Sequence, residues 1–168
     1  YEQVRKLTIT DDTTGLYNAR YLHDVLQLEI DRSKQFGSNC SVIFFDLDFF
    51  KLVNDSHGHL VGSQLLGEIG KLVAENLKPN YFGARYGGDE FVIIMRDTPK
   101  EQALTFCRDL KEKLNARNFL AREGLNIHIT ASFGIATFPV DADTKCKVLH
   151  LADERMYRIK DSHKNDIA

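Results

Sequence analysis

The stretch RYGGDEFVIIM, residues 85–95, decides the fold prediction for this chain. Gly87 and Gly88 interrupt a run of strand-forming residues, and a Gly-Gly pair tolerates the positive φ angles of a tight hairpin. We therefore predict two antiparallel strands, YFGARY and DEFVIIM, joined at the glycines. Asp89 and Glu90 stand side by side where the otherwise apolar second strand begins. Charged side chains at the mouth of a core strand need a partner or a function.

The segments on either side of the hairpin alternate between helical and extended patterns. Apolar residues recur at helical spacing in four of them, and two others are short and rich in β-branched and aromatic residues. Pro99 can open a helix because its fixed φ suits the first turn. These patterns predict helices at 17–36, 61–77, 99–116 and 144–162, and strands at 41–50 and 125–138.

The order α, β, α, β-turn-β, α, β, α indicates an α+β domain with a mainly antiparallel sheet and helices on one side. With 168 residues, 43% of them hydrophobic, the chain fits a single domain with a substantial core. Residues 1–10 are predicted to be the end of an N-terminal linker or signalling helix, and residues 11–168 form the domain. The opening YEQVRKLTIT is typical of a piece of a longer protein.

Composition excludes some partners and favours a compartment. A formal charge of −2 gives no general attraction to nucleic acid or anionic membrane, so we expect neither partner. Three cysteines, Cys40, Cys107 and Cys146, form no CxxC pair and argue against a disulfide framework or a zinc site. No apolar run approaches the roughly 18–20 residues that cross a bilayer. The expected location is a reducing cytoplasm.

Carboxylates also mark the end of the first predicted strand. Asp46 and Asp48 lie two residues apart, hence on one face, and a solvated strand end is the ordinary interpretation of a lone aspartate there. If the hairpin brings Asp89 to the same point, however, mutual repulsion must be offset. Oxygen ligands without His or Cys select Mg²⁺ or Mn²⁺, which complete their shells with water and phosphate oxygens. The pattern therefore points to nucleotide chemistry.

The segment DFFKLVNDSHGHLVGS, residues 48–63, supplies what a triphosphate needs. The turn after the strand offers backbone amides, Lys51 adds a cation, and two glycines allow close approach before a helix begins. Asn54 and Ser63 carry hydrogen-bonding groups suited to a base edge. Helix capping is the alternative for both, and it is a serious competitor for Ser63.

Two lysines near the C-terminus are further candidates for phosphate binding. Lys160 and Lys164 lie four residues apart, on one face if the last helix continues that far. Lysines at the end of a helix more often interact with the helix dipole, which is the alternative interpretation.

Four motifs together resemble a known family. DDTTGLYN (11–18), FFDLDFFKLVNDSHGHLVG (44–62), RYGGDEF (85–91) and LADERMYRIK (151–160) occur in the order found in the GGDEF domain, the catalytic domain of bacterial diguanylate cyclases. The resemblance covers residues 11–165. It implies a fold related to the palm of adenylyl cyclases and polymerases, with a central, mainly antiparallel sheet surrounded by helices.

The resemblance also implies a role for individual positions. The metal ligands would be Asp46, Asp89, Glu90 and the Leu47 carbonyl. The catalytic set would be the same three carboxylates with Lys51. The phosphates would be held by the amides of Phe49 and Phe50 and by Lys51, Lys160 and Lys164. The base would be surrounded by Asn54, Ser63 and Gly88, and His59 would also belong to the nucleotide-binding residues.

The implied activity needs two protomers. Each would present one nucleoside triphosphate, such as GTP, with two Mg²⁺ ions per site and Mn²⁺ as a substitute. The 3′-hydroxyl of each substrate would attack the α-phosphorus of the other, giving a 3′,3′-cyclic dinucleotide and two pyrophosphates. Members usually carry an upstream sensory or dimerising segment. If that segment is missing here, we expect weak self-association and low specific activity.

The sequence departs from the family pattern at the base-reading position. GHLVGS places Ser63 where a guanine-reading aspartate usually stands, and a hydroxyl can donate as well as accept a hydrogen bond. This substitution resembles the hybrid promiscuous (Hypr) branch, which makes cyclic GMP–AMP from GTP and ATP as well as cyclic di-GMP. The alternatives are a strict cyclic di-GMP synthase and a catalytically silent module that binds GTP or a partner.

Other departures concern feedback and phosphate binding. The product-inhibition motif RxxD would fall on KPNY, where Lys78 lacks the arginine fork and Tyr81 lacks a carboxylate. Strong feedback through this position is therefore not expected, although Arg108 could belong to a partial secondary surface. Thr13 replaces the usual leucine, and His163–Lys164 replaces the usual Gly-Arg.

Overall fold

A four-stranded sheet forms the centre of the protein. The structure is a computed structural model, and it describes residues 2–168. The spatial order is β2-β3-β1-β4, and every neighbouring pair of these strands is antiparallel. This confirms the predicted α+β class and the hairpin. The strands are β1 (Cys40–Leu47), β2 (Tyr81–Arg85), β3 (Glu90–Met95) and β4 (Ala131–Phe138).

Six α-helices and a short 3₁₀ turn complete the described chain. Asn18 caps α2 by accepting a hydrogen bond from the Tyr21 amide, and Thr144 caps α6 in the same way. Within residues 2–168, no helix is long and apolar enough to cross a membrane. The helices are α1 (Glu2–Ile9), α2 (Ala19–Phe36), α3 (Phe50–His57), α4 (His59–Asn76), α5 (Lys100–Ala116) and α6 (Lys145–Ser162), and the 3₁₀ turn is Ala121–Glu123.

Helices cover both faces of the sheet. Alternate residues of β1 point to opposite sides, as the two-residue period of a strand requires. Ile43 and Phe45 belong to a core with α4 and α5, whereas Val42 and Phe44 belong to a core with α2 and α6. The expectation of helices on one side was wrong, because the order of elements along a chain does not determine the face on which each helix packs.

Two other expectations need correction. Residues 50–57, which we interpreted as the turn after the first strand, form the two-turn helix α3 between the end of β1 and the start of α4. The last strand begins at Ala131 rather than at residue 125, and the preceding segment forms an isolated bridge between Phe119 and Ile127 instead of a continuous strand.

Candidate active site at the strand ends and the hairpin tip

Strand register brings the predicted carboxylates to one end of the sheet. Asp46 pairs directly with Glu90 across β1 and β3, so their side chains leave the sheet on the same face. The Leu47 amide then donates a hydrogen bond of 3.1 Å to the Asp89 carbonyl, which continues the pairing into the turn. Residues far apart in sequence, at 46–47 and 89–90, therefore meet at one site.

The glycines of the hairpin serve close packing rather than unusual φ angles. Neither Gly87 nor Gly88 adopts a left-handed conformation, so the expected reason for the Gly-Gly pair was wrong. A Cβ on Gly87 would instead lie 2.7 Å from the Glu90 Oε1 atom, whereas a Cβ on Gly88 would meet no atom within 4 Å. Gly87 thus leaves room for the Glu90 carboxylate to fold back over the turn.

Arg85 holds the hairpin tip and was missed by the sequence analysis as a site residue. Its Nε donates to the carbonyls of Gly87 (3.1 Å) and Gly88 (3.0 Å), and its Nη1 lies 3.2 Å from an oxygen of Asp11. Asp11 also accepts a hydrogen bond from the Thr14 amide. The signal was present in the sequence as an arginine two residues before the glycines and an aspartate at the head of the DDTT turn.

The Asp46 and Asp89 carboxylates, called the carboxylate pair below, repel each other. Burial raises the pKa of Asp46 to about 7, and a hydrogen bond and repulsion from Asp89 act in the same direction, while Lys160 opposes them. Burial also raises the pKa of Glu90, with further repulsion from Asp153 and Asp89. Such shifts mark places where a positive charge would be bound favourably.

A protein cation already lies among these oxygens. The Lys160 ammonium contacts Asp46 Oδ1 at 3.2 Å and Asp48 Oδ1 at 3.6 Å, and it donates a short hydrogen bond to the Leu47 carbonyl. The atoms around the ammonium that could coordinate a metal ion are all oxygens, which suits Mg²⁺ or Mn²⁺. Within residues 2–168, no three His, Cys, Asp or Glu side chains are grouped tightly enough to hold one ion. The local chemistry fits a divalent cation bound by two carboxylates and a carbonyl.

Asp48 is a buried neighbour of the site whose hydrogen bonds fix the end of β1. Its side chain is fully buried and accepts hydrogen bonds from the hydroxyls of Thr130 (2.6 Å) and Ser132 (2.7 Å) and from the Asn165 amide (2.9 Å). These donors satisfy both oxygens. Asp48 therefore fixes the end of β1 against β4 and the C-terminal segment, while Asp46 remains partly exposed.

The start of α3 forms the candidate phosphate site. Phe49 adopts a left-handed φ of 60°, so that the chain turns sharply from β1 into the helix. The amides of Phe50 and Lys51 lie in the first turn, where a helix has no internal acceptors for them. Lys164 is close by, with its Nζ atom 5.3 Å from the Phe49 ring centre and donating to the Lys160 carbonyl at 2.7 Å.

A cavity of about 410 Å³ opens beside this turn. It adjoins the hairpin tip and contains most of the predicted phosphate and base positions, together with Leu66 and Arg85, which the sequence analysis did not predict. Its lining residues are Phe50, Lys51, Asn54, His59, Ser63, Leu66, Arg85, Gly88 and Asp89.

Asn54 and Ser63 are polar side chains that line the cavity. Asn54 Oδ1 is buried and has no hydrogen-bond partner among the described residues. Ser63 is exposed and lies in the second turn of α4, whose N-cap is Gly58. The capping alternative for Ser63 was therefore wrong.

The remaining departures lie outside the cavity. The Lys78 ammonium stacks over the Tyr81 ring at 5.5 Å, so both residues of KPNY are engaged with each other. Arg108 is exposed on α5. His163 pairs with Asp166 at 2.8 Å just beyond α6. None of these contacts contributes to the carboxylate pair or the cavity.

A larger groove of about 830 Å³ lies along α4 on the other side of Ser63. The Thr13–Thr14–Gly15 turn and the residues around the 3₁₀ turn form its walls. Ser63 lines both the groove and the smaller cavity, so its short side chain stands at the boundary between them.

Comparison with known proteins agrees with this geometry. Residues 8–166 match the family model for "Diguanylate cyclase, GGDEF domain". The response regulator PleD of Caulobacter vibrioides is 34% identical over 163 residues, which are 96% of this chain and 36% of PleD. MucR of Pseudomonas aeruginosa, a bifunctional diguanylate cyclase/cyclic di-GMP phosphodiesterase, is 34% identical over 160 residues, which are 95% of this chain and 23% of MucR.

A solved structure gives the same result in three dimensions. The coiled coil and GGDEF domain of DgcB from Caulobacter crescentus, in complex with c-di-GMP, superposes with a TM-score of 0.91 at 27% identity. The match covers 99% of this chain and 88% of that one. This chain spans well under half the length of the curated relatives. It belongs to the GGDEF domain family of diguanylate cyclases.

Proposed function

We propose that this chain is the catalytic domain of a dinucleotide cyclase that joins two nucleoside triphosphates into a 3′,3′-cyclic dinucleotide, for second-messenger signalling in a bacterial cytoplasm. One observation carries the proposal: the predicted base residues and two predicted phosphate residues, Phe50 and Lys51, line a single cavity that reaches Asp89, the neighbour of Asp46. The relatives' names, which include diguanylate cyclases, support the same reaction class.

The residues divide the work by position. Lys51, Lys160, Lys164 and the first amides of α3 would hold the triphosphate, because they present positive charge at the turn after β1. Asn54 would orient the base through its unpartnered oxygen. Held in this way, the α-phosphorus would face a 3′-hydroxyl presented by a second protomer, so that most of the rate gain would come from positioning.

The carboxylates would complete the site with metal ions. Asp46, Asp89 and the Leu47 carbonyl would hold one Mg²⁺, and Glu90 would take part in binding the second. Bound Mg²⁺ supplies charge neutralisation at the phosphates and lowers the pKa of the attacking hydroxyl. Because each protomer binds only one of the two substrates, catalysis would require a homodimer. Pairing would normally be set by a segment upstream of α1.

Ser63 favours a mixed product. An aspartate at this position would accept from guanine N1–H and the exocyclic amine together, which adenine cannot match. The Ser63 hydroxyl can accept from guanine or donate to adenine N1, so discrimination against ATP should fall. We therefore propose cyclic GMP–AMP as a product beside cyclic di-GMP, as in the Hypr branch.

The first experiment incubates a verified dimer with equimolar GTP, ATP and Mg²⁺ and identifies the products by mass spectrometry. Cyclic GMP–AMP as a major product supports the full proposal, and Ser63→Asp should then shift the output toward cyclic di-GMP. Unchanged product ratios in that variant would refute the role of Ser63. Asp89→Ala should abolish both products.

Two outcomes would favour the alternatives. Cyclic di-GMP alone would indicate a strict diguanylate cyclase in which Asn54 and Gly88 secure guanine without help from Ser63. No product from a verified dimer would indicate a silent module. The intact Gly-Gly-Asp-Glu-Phe signature argues against the silent module, because Asp89 and Glu90 are both present.

A further inference from the structure

Lys160 occupies the position in which a metal ion would be expected. Its ammonium is bonded to the Leu47 carbonyl and to Asp46 Oδ1, two of the oxygens assigned above to the ion. The side chain is only 22% exposed, so this is a settled contact inside the fold rather than a surface ion pair. The family resemblance predicts a different partner for Lys160, the triphosphate.

The Lys160 ammonium and a metal ion cannot bind the same two oxygens at the same time. Mg²⁺ binds oxygen at about 2.0–2.1 Å, so an ion sharing Asp46 Oδ1 and the Leu47 carbonyl would lie within the space that the ammonium fills. Two cations so close would also repel strongly in a partly buried site. Lys160 must therefore leave these oxygens before an ion can bind them.

The surroundings allow Lys160 to leave at little cost. Asp48, its third contact, already accepts three other hydrogen bonds, so it is not left without partners. The first turn of α3 begins three residues after Leu47, and phosphates bound there would lie beside the departing ammonium. The lysine would exchange carboxylate and carbonyl oxygens for phosphate oxygens.

We propose that Lys160 is an internal counter-ion that competes with the metal for Asp46 and Leu47 and transfers to the triphosphate when the metal enters. The inference rests on the metal site of the proposed function. It makes metal and nucleotide binding mutually favourable. Bound phosphates offer the displaced ammonium new partners, and a bound metal ion frees the ammonium to contact the phosphates. By linkage, the factor by which nucleotide strengthens metal binding equals the reverse factor.

The test measures Mn²⁺ binding to the nucleotide-free protein by calorimetry or by electron paramagnetic resonance, at one fixed pH for all variants. Lys160→Met should bind Mn²⁺ about tenfold more tightly than the wild type, since a partly buried charged hydrogen bond no longer has to be broken. Lys164→Met is the matched control, because it removes the same charge nearby without touching Asp46, and it should change affinity less than twofold.

A second titration examines the coupling. Adding a non-hydrolysable GTP analogue should raise the Mn²⁺ affinity of the wild type by a larger factor than that of Lys160→Met, because only the wild type has an ammonium to release. Equal factors in the two proteins would overturn the transfer. Affinity that is unchanged or weaker in Lys160→Met without nucleotide, or equally raised in Lys164→Met, would overturn the competition.

Asp46→Asn separates this inference from the proposed function. Loss of Mn²⁺ binding in that variant confirms the site, and the Lys160→Met result then decides the counter-ion role alone. Mn²⁺ binding that survives Asp46→Asn would mean that the metal site itself is misplaced, and both proposals would fall together.

Discussion

Gly62 offers a way to disable the proposed base site without damaging the fold. A Cβ at this position would lie 1.8 Å from Asn54 Oδ1 and 3.3 Å from the end of the Phe50 ring. The first distance is impossible, but the obstructing atom is the tip of a flexible side chain. In Gly62→Ala, Asn54 must therefore swing away from the cavity while the backbones of α3 and α4 stay in place.

The two expected effects have opposite signs. Alanine is more favourable than glycine in a helix by up to about 1 kcal/mol, so the free energy of unfolding should stay level or rise. Nucleotide binding loses the Asn54 hydrogen bond and leaves a buried base group without a partner, at a cost of about 1–3 kcal/mol. This corresponds to a Kd for GTP that rises roughly 5- to 150-fold.

Chemical unfolding and calorimetric titration with GTP and Mg²⁺ measure the two effects separately. Gly67→Ala is the matched control: it lies in the same helix, and its Cβ would meet the Thr13 carbonyl at 3.2 Å, outside the 410 Å³ cavity. The control should keep wild-type affinity. The reasoning fails if Gly62→Ala binds GTP as tightly as the wild type, or if Gly67→Ala weakens binding equally.

Three further predictions concern stability. Gly134→Ala should destabilise the protein by about 3 kcal/mol in chemical denaturation, because the new Cβ would lie 2.0 Å from the backbone oxygen of Ala152; a loss below about 0.5 kcal/mol would contradict the packing. Arg96→Met should lower the free energy of unfolding by about 3–5 kcal/mol, because the Glu29 carboxylate, which is 5% exposed, loses its two hydrogen bonds of 2.7 and 2.8 Å from Arg96. Adding Glu29→Gln should recover much of this loss. Burial alone would raise the pKa of Asp141, but hydrogen bonds from two cations and an amide lower it overall. The ionised carboxylate therefore stabilises the fold above the unfolded pKa of 3.8, and this stabilisation is lost as pH falls through the lower folded pKa. Asp141→Asn should reduce the free energy of unfolding at pH 7 and make it decline less steeply below pH 4.

Local patterns predicted the elements of the fold but not their faces. The hairpin and the antiparallel sheet followed from alternation and turn residues, both of which operate within a few positions. The helix at 50–57 was missed because it is only eight residues long, which is shorter than the window over which helical periodicity can be recognised. Its presence explains why Ser63 does not cap a helix: α3 ends and α4 begins at the shared Gly58, five residues before Ser63.

The contacts that govern the carboxylates are long-range, and this limits what a sequence can disclose about them. Asp46 and Lys160 are 114 positions apart, and Arg85 and Asp11 are 74 apart. A motif can propose that each residue belongs to the site, but not which residue neutralises which. That assignment matters here, because a lysine bonded to Asp46 and Leu47 would compete with the proposed metal ion, whereas the same lysine on a phosphate would be a ligand of the substrate. Asp89 and Glu90 can therefore stand at the mouth of a buried strand for two compatible reasons: Arg85 fixes the turn that presents them, and Lys160 offsets the negative charge that accumulates with Asp46. In the proposal above, a divalent cation would take over from Lys160.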